Sequence, residues 1–467
     1  MMTNKTMTPE AAQRFLDMLV QVDRSETVPN FPEVLDNMQD LGLQPGEPVM
    51  ITIPNSIEFV TIVFALLTLG AVPVLLPSSA PPSRIYRIAA VLGANALISL
   101  NTPKGLPQIS AYPLSERIKL NYLDDLSVRY YQPGEVILLT SGTSGIFSGC
   151  LFSLDALLLN GLRHAEAIGQ TAEDRVLINL PMYYSYAFVA QLLTTFSLGG
   201  TAIIAGPPFT PLHYERTIRD YQIAQSSLTP LMVNAWLQSE SGKLPSPLRR
   251  LTVGGDALTP SSVEALLTRN PGLEVYLTYG LTQAGPRVAT LAAHLESPER
   301  YASVGVPMEG VNISLKKEHP DDTVGELIVE TATGMKQRLG QHTEESETND
   351  DGKHVIHTGD LFEIDHAGYL FFRQRQPSYV MSRGEKVCMK SICEIAETLP
   401  GVVRAEAWVQ NGDGEDAAFT LDVYCEDASL KENDIRRQLG SVLLRSEQPT
   451  HLVLHPAFST GWRKTAP

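Results

Sequence analysis

Cysteine is scarce in this chain. Four occur in 467 residues, at Cys150, Cys388, Cys393 and Cys425, and no pair has C-x-x-C spacing. That usage excludes a disulfide framework and is the pattern of reduced thiols in a cytoplasmic protein. Positive charge is in deficit: 36 Lys and Arg face 52 Asp and Glu, for a formal net charge of −16. Such a balance argues against a general binder of nucleic acid or anionic membranes. No block of like charge is long enough to be a binding tail. Long apolar runs are missing too. The most apolar stretch, Phe59 to Leu76, is interrupted by Gly70 and Pro73 and falls short of the ~20 residues a membrane span needs. It reads as a buried helix turning into a strand. The N-terminus lacks a charged-then-apolar export pattern, and Thr8-Pro9-Glu10 instead starts an amphipathic helix. Internal repeats and low-complexity tracts are absent.

What is present is ordinary globular material: 43% hydrophobic and 19% charged residues, enough for a large core. The length suits roughly three average domains, or one large and one small. Residues 48 to 101 read PVMITI, IEFVTIVFALLTLG, AVPVLL, RIYRIAAVLG and ALISL in turn. Strand, helix, strand, helix, strand with short Gly/Pro punctuation predicts a parallel α/β layer. A second such stretch runs from VLINLP (176–181) through the helix FVAQLLTTFSLGG and the strand TAIIAG. SSLTPLMVNAWL then reads as a loop into a helix, and LRRLTVGGDAL and LEVYLTYGLTQ as strands ending in tight turns. Ligands of open parallel sheets sit beyond the carboxyl ends of the strands. The Gly-rich ends at 140–145, 254–256 and 279–283 are therefore expected at one rim. From residue 303 short strands with Gly turns suggest a β-meander or barrel, and residues 340 to 354 a polar exposed loop. After Arg375 comes a small α+β segment with helices at 391–399 and 429–445.

One stretch is chemically unusual. Residues 138 to 150 read LLTSGTSGIFSGC: an apolar strand, Glu135 to Leu139, breaks into five small residues. A helix with Leu154, Leu157, Leu158 and Leu162 on one side follows from Ser153. A strand that breaks into Ser, Thr and Gly and then enters a helix aims backbone N–H groups at an anion. Hydroxyls of Thr140, Ser141, Thr143 and Ser144 add donors, and Gly142 and Gly145 let phosphate oxygens approach the chain. It is not a P-loop, since no Gly-Lys-Ser/Thr follows, and not a nucleophile elbow, since G-x-S-x-G is absent. A Ser/Gly-rich surface loop fits the same composition.

The stretch resembles the phosphate loop of the adenylate-forming superfamily of acyl-CoA synthetases, nonribosomal peptide adenylation domains and luciferases, T-S-G-[ST]-T-G-x-P-K-G. Thr140 to Gly145 match, and Gly149 closes the loop, with Phe147 and Ser148 at the Pro and Lys positions. TYGLTQ, Thr278 to Gln283, resembles the family's Y-G-x-T-E turn. Tyr279, Gly280 and Thr282 match, and Gln283 replaces the Glu that helps hold Mg²⁺. A carboxylate suits that hard cation better than an amide. HTGD, His357 to Asp360, matches the T-G-D whose Asp accepts from the ribose hydroxyls, and Arg375 stands at the hinge Arg that contacts ribose or phosphate. GGD, Gly254 to Asp256, resembles the turn between adenine and the acyl pocket. YYSYAF, Tyr183 to Phe188, sits where the family has P-x-F-H-x-x-G, and the resemblance puts Tyr184 at or near its aromatic gate.

The resemblance implies an α/β fold. A large N-terminal domain of packed parallel sheets with a β-barrel-like subdomain, residues 1–374, carries a small mobile α+β domain, residues 375–467. Pro377 takes the hinge position, where proline restrains the backbone. The implied reaction is ATP-dependent activation of a carboxylic acid as acyl-AMP and transfer to a thiol, of CoA or of carrier-protein phosphopantetheine. Thr282 and Lys464 are the implied catalytic residues. Lys464 lies two residues past Trp462, which aligns with the family's terminal lysine, and Arg463 stands between them. Tyr184, Ala284 and Gly285 are implied in the acyl pocket, and Gln283 at a weakened Mg²⁺ site. The tyrosines and Asp256 suggest a small aryl or polar-substituted acid, while an apolar-core role for the tyrosines stays open. The replacements Ser148, Gln283 and Trp462 leave a second expectation: a repurposed relative that binds a nucleotide, acyl-adenylate or carrier protein, or performs one half-reaction.

Overall fold

The structure, a computed structural model, describes residues 7–23, 29–106, 109–124, 126–140, 148–206, 208–239, 242–340, 343–375, 379–383, 385–409, 418–426 and 430–456. Two large sheets organise the first three quarters of the chain. One runs, edge to edge, through Glu344–Glu345, Gln337–Leu339, Ser148–Ser153, Glu135–Thr140, Val72–Leu75, Pro48–Ile51, Ala96–Ser99, Lys119–Leu123 and Ile109–Pro113. Its centre is parallel and its flanks antiparallel. The other runs through Val20–Gln21, Thr201–Ile204, Arg175–Ile178, Gln225–Leu228, Arg250–Gly254, Glu274–Gly280, Arg287–Ala292 and Val306–Pro307. It is parallel as far as Glu274–Gly280 and antiparallel beyond.

The core between the sheets follows from the apolar run. Helix Ile57–Leu69 buries every residue from Ile57 to Leu67, with Ser56 as N-cap and Gly70 as left-handed C-cap. A helix that is apolar on all sides has to be covered on all sides. Accordingly its side chains join one cluster with Val49, Ile51 and Leu138 of the first sheet and Ile178, Ala202 and Ile204 of the second. Helices Pro9–Leu16 and Leu154–Ile168 and the π-helical turns Tyr186–Leu193 share that layer. Phe15, Phe64 and Phe196 meet there with ring centroids 5.1 to 5.7 Å apart.

Strands Val311–Lys316, Val324–Thr331, His354–Ile364 and Leu370–Arg375 form a four-stranded antiparallel sheet, the barrel-like part expected from residue 303 onward. The last segment has a core of its own, with Val380, Ile392, Phe419, Leu421, Ile435 and Leu439. Hairpin Tyr379–Ser382/Glu385–Cys388, helices Met389–Glu397 and Glu432–Gly440, and sheet Val402–Val409, Phe419–Cys425, His451–Pro456 build it. Pro377 lies outside the described residues.

Several expectations need correction. The chain does not pass from the 135–140 strand into a helix. Ser148–Ser153 is a strand that pairs antiparallel with Glu135–Thr140, Thr140 opposite Ser148, and helix Leu154–Ile168 begins only after it. The helix N-terminus therefore does not directly follow the 135–140 strand. Leu162 on that helix is 42% exposed, outside the apolar face. The stretch read as a loop before PLMVNAWL holds a fully buried strand, Gln225–Leu228, whose polar side chains are satisfied inside the sheet. Within 340–354, Glu344–Glu345 is an edge strand paired with Gln337–Leu339, though exposed as expected.

Candidate functional site

The expected rim exists, but two sheets supply it. Strand Glu135–Thr140 belongs to the first sheet, Arg250–Gly254 and Glu274–Gly280 to the second. They converge because Glu135–Thr140 packs against the short 3₁₀ turn Thr282–Ala284. Thr140 ends its strand there. Ser141, Gly142, Thr143, Ser144 and Gly145 lie outside the described residues, as do Trp462, Arg463 and Lys464.

The turn after Glu274–Gly280 is shaped by glycine. A Cβ at Gly280 would sit 2.2 Å from the Pro286 carbonyl oxygen, and one at Gly285 would sit 2.2 Å from that of Thr333. Gly285 also has φ +95°, a conformation that L side chains avoid. Leu281 N–H closes the turn on the Pro286 oxygen at 3.0 Å. Thr282 is thereby presented at the rim, its hydroxyl 3.0 Å from that of Ser185. Ala284 is tied from behind, its carbonyl accepting from the Thr333 hydroxyl at 3.1 Å.

Tyr279 and Asp360 come together. The Tyr279 hydroxyl donates to Asp360 Oδ2 at 2.6 Å, and the ring meets Phe362 edge-on at 4.8 Å. Asp360 is 1% exposed. Its strand is shaped locally: Thr358 Oγ1 donates to the Leu327 carbonyl and accepts from Asp360 N–H, and Gly359 at φ +68° donates to Glu326. Arg375 stands opposite Asp360 in the neighbouring strand. A carboxylate and an aromatic ring, locked to each other, thus share the rim with the Thr282 turn.

Gly254 and Gly255 lie beside them. A Cβ at Gly254 would fall 2.4 Å from Thr278 Oγ1 and 3.1 Å from Tyr186 Cε1, so only glycine fits between that threonine and that ring. Gly255 has φ +94°. Asp256 is exposed and accepts from the Ala257 N–H at 2.8 Å.

On the far side stand Tyr183 and Tyr184, ring centroids 4.4 Å apart. The Tyr183 hydroxyl donates to Glu385 at 3.2 Å, and the Ser446 hydroxyl donates to the other oxygen of Glu385 at 2.5 Å. Burial, followed by the nearby Glu385 carboxylate, pushes the Tyr183 phenol above its ordinary range. Burial does the same to Tyr184, reinforced by Tyr183. Arg84 pairs with Glu447, and the Ser83 hydroxyl donates to the Ser441 carbonyl. The small C-terminal unit is therefore docked against Tyr183 and helix Pro82–Leu92. Sequence reasoning missed Ser185, Tyr186, Thr278 and Glu385. Three of these lie inside the quoted motifs, and no local pattern distinguishes Glu385.

Gln283 uses its backbone carbonyl to accept from Met335 N–H at 2.9 Å, and its side chain is a neutral amide. Among the described residues there is no group of three or more His, Cys, Asp or Glu able to hold a metal. Mg²⁺ takes few protein ligands beside substrate phosphates, and at this position Gln283 offers it an amide oxygen in place of a carboxylate. Among the described residues, too, no helix is long and apolar enough to cross a membrane.

A rim of this kind defines a nucleotide-binding enzyme, and comparison with known proteins bears this out. The family model for AMP-binding enzymes matches residues 36–337, and the chain belongs to that family. A long-chain-fatty-acid–CoA ligase of Mycobacterium tuberculosis, FadD13, is 24% identical over 91% of this chain and 87% of its own length. A 2-succinylbenzoate–CoA ligase of Bacillus licheniformis is 26% identical over 80% of this chain and 78% of its own. Among solved structures, the o-succinylbenzoate CoA synthetase of Bacillus subtilis, as a double mutant bound to its product analogue OSB-NCoA, superposes with TM-score 0.80. It is 19% identical and covers 96% of this chain and 94% of that one. The adenylate-forming fold expected from the motifs is confirmed. So is the chain's place among AMP-binding enzymes, the curated relatives here being named as acid–CoA ligases.

Proposed function

We propose that this chain joins a small aryl carboxylic acid to CoA through an acyl-adenylate. An oxygen of the acid attacks the α-phosphorus of ATP, acyl-AMP forms and pyrophosphate leaves. The CoA thiolate then attacks the acyl carbonyl and AMP departs. The observation that carries this reading is the Tyr279–Asp360 pair, 2.6 Å apart at the rim. It offers an aromatic face for adenine and an oriented carboxylate for ribose. Thr282 stands beside it for the α-phosphate, with Thr140 and residues 141–145 for the other phosphates and Lys464 as the closing cation. Gly254, Gly255 and Asp256 wall the adenine side. Tyr184, Ala284 and Gly285 bound the acid, and Arg375 lies at the division between a large domain ending at 374 and a lid that turns about Pro377. The tyrosine pair supports an aryl acid, as do the relatives named for 2-succinylbenzoate. The relatives' shared acceptor supports CoA over a carrier protein.

The test is acid-dependent ATP–pyrophosphate exchange over a panel of aryl acids. Exchange that disappears in Asp360→Ala is the expected result, and absence of exchange with every acid sinks the adenylating step. A second reading has one observation in its favour: the neutral Gln283, which leaves Mg²⁺·ATP poorly held. In that reading the chain performs only thioester formation. Synthetic acyl-AMP plus CoA would then yield acyl-CoA where ATP plus acid yields nothing.

A further inference from the structure

The segment that follows strand Arg175–Ile178 sends four consecutive side chains to four places. Tyr183 reaches Glu385 of the C-terminal unit, and Tyr184 lies ring against ring with it. Tyr186 points into the second sheet: its hydroxyl is 3.0 Å from that of Thr252, and the Arg287 guanidinium covers its ring at 3.5 Å. Between them stands Ser185, 7% exposed, whose hydroxyl is 3.0 Å from that of Thr282. The reaction as written above makes no use of this serine. Its contact joins the segment that carries Tyr184 to the turn that carries Thr282.

Both ends of the contact are fixed by groups other than the two hydroxyls. Just before Ser185, the buried Asn55 donates to the Leu180 carbonyl at 2.7 Å and accepts from the Met182 N–H at 2.8 Å. Just after it, Tyr186 is pinned as described and the π-helical turns Tyr186–Leu193 begin. On the facing side, Gly285 N–H donates to the Thr282 carbonyl at 3.0 Å, and Met335 N–H donates to that of Gln283 at 2.9 Å. The two hydroxyls therefore meet because their backbones are held in place. A hydroxyl has one proton to give and lone pairs to accept with. On the acid-activating reading Thr282 faces the α-phosphate, whose oxygens only accept, so the Thr282 proton has to point there. What Thr282 then offers Ser185 is a lone pair, and Ser185 is the donor. Donation in that sense polarises the Thr282 O–H and strengthens its bond to the phosphate. It also fixes the phosphate side of the site against the acid side, which in-line attack at about 3–3.5 Å requires.

We infer that Ser185 is a positioning residue for adenylate formation: its hydroxyl donates to Thr282 Oγ1 and so aims the Thr282 O–H at the α-phosphate. The inference rests on the acid-activating reading above and adds to it a residue that touches neither substrate. The test is a double-mutant cycle. Wild type, Ser185→Ala, Thr282→Val and the double variant are assayed by ATP–pyrophosphate exchange, with kcat/KM for ATP and KM for the acid read separately. Ser185→Ala should lower kcat/KM for ATP about threefold to tenfold, the scale of one hydrogen bond between neutral groups. KM for the acid should stay as in wild type, because Tyr184 keeps its backbone ties. In the Thr282→Val background the same serine change should cost nothing more, since the hydroxyl it served is gone. An unchanged kcat/KM in Ser185→Ala overturns the inference, as does an equal loss in both backgrounds. A matching rise in KM for the acid also overturns it, since that marks a collapsed segment rather than a misaimed hydroxyl. If no acid supports exchange, the acid-activating reading fails by itself, and calorimetric titration of ATP into the same four proteins decides for Ser185. Binding weakened by Ser185→Ala only where Thr282 is present upholds its role. An equal effect in both backgrounds, or no ATP binding by any of the four, overturns it.

Discussion

The Tyr279 hydroxyl and Asp360 fix each other before any nucleotide arrives. An oriented ring and an oriented carboxylate lose little freedom on binding. Removing the hydroxyl in Tyr279→Phe breaks a hydrogen bond to a charged group, about 1.5–3 kcal/mol. The expected result is a lowered melting temperature, since the bond is made in the free protein, together with weaker ATP binding once ring and carboxylate lose their orientation, both measured by calorimetry. Each residue was legible in its own motif, but their contact joins positions 81 apart and is a product of folding alone. His164 is titratable in a different sense. Burial, then the Arg287 charge, holds its proton affinity well below the ordinary 6.5. The unfolded chain therefore takes up a proton that the folded chain refuses. The stability His164 contributes is complete above pH 6.5 and is lost as pH falls toward the depressed value, by up to about 1.4 kcal/mol per unit. Melting temperatures between pH 7.5 and 5 should fall less steeply in His164→Gln. Cys150, fully buried, has its thiol pushed up to about 12 by burial. It should resist alkylation at pH 8 in the folded protein and react on denaturation, as mass spectrometry would show.

At the scale of elements, the parallel layers of residues 48–101 were readable because their apolar runs are long and cleanly punctuated. Helix Ile57–Leu69 shows how much depends on them. Phe64 is fully buried against Phe15 and Phe196, and Phe64→Ala should cost about 3–5 kcal/mol in urea unfolding. The strands that escaped reading are polar or short. Ser148–Ser153 reads SGCLFS and Gln225–Leu228 reads QSSL. Neither alternates or carries a β-branched run, and their pairing partners decide their conformation. The pairing of Ser148–Ser153 with Glu135–Thr140 is the consequential case, since a strand stands where the sequence suggests the approach to a helix. The π-helical winding at Tyr186–Leu193 has no sequence signal either, and such windings favour functional positions. Here it carries Tyr186 onto Arg287.

Across the whole molecule, two ties hold the C-terminal unit against Tyr183 and helix Pro82–Leu92: Tyr183–Glu385–Ser446 and Arg84–Glu447. Both members of the second pair are largely buried, so cutting one partner strands the other. Glu447→Ala should loosen the docked arrangement, read as faster backbone hydrogen exchange across the 441–447 contact with helix Pro82–Leu92. None of these ties was visible in the sequence, because each links residues more than two hundred positions apart or sits in an unremarkable local pattern. The Tyr279 turn and the Asp360 strand were legible as motifs, since backbone turns impose glycine at fixed spacing. The most direct test of the account is titration of ATP into the wild-type protein and into Asp360→Ala by calorimetry. Micromolar binding that vanishes in the variant is the predicted result. No heat at millimolar ATP, or equal binding by both proteins, would contradict it.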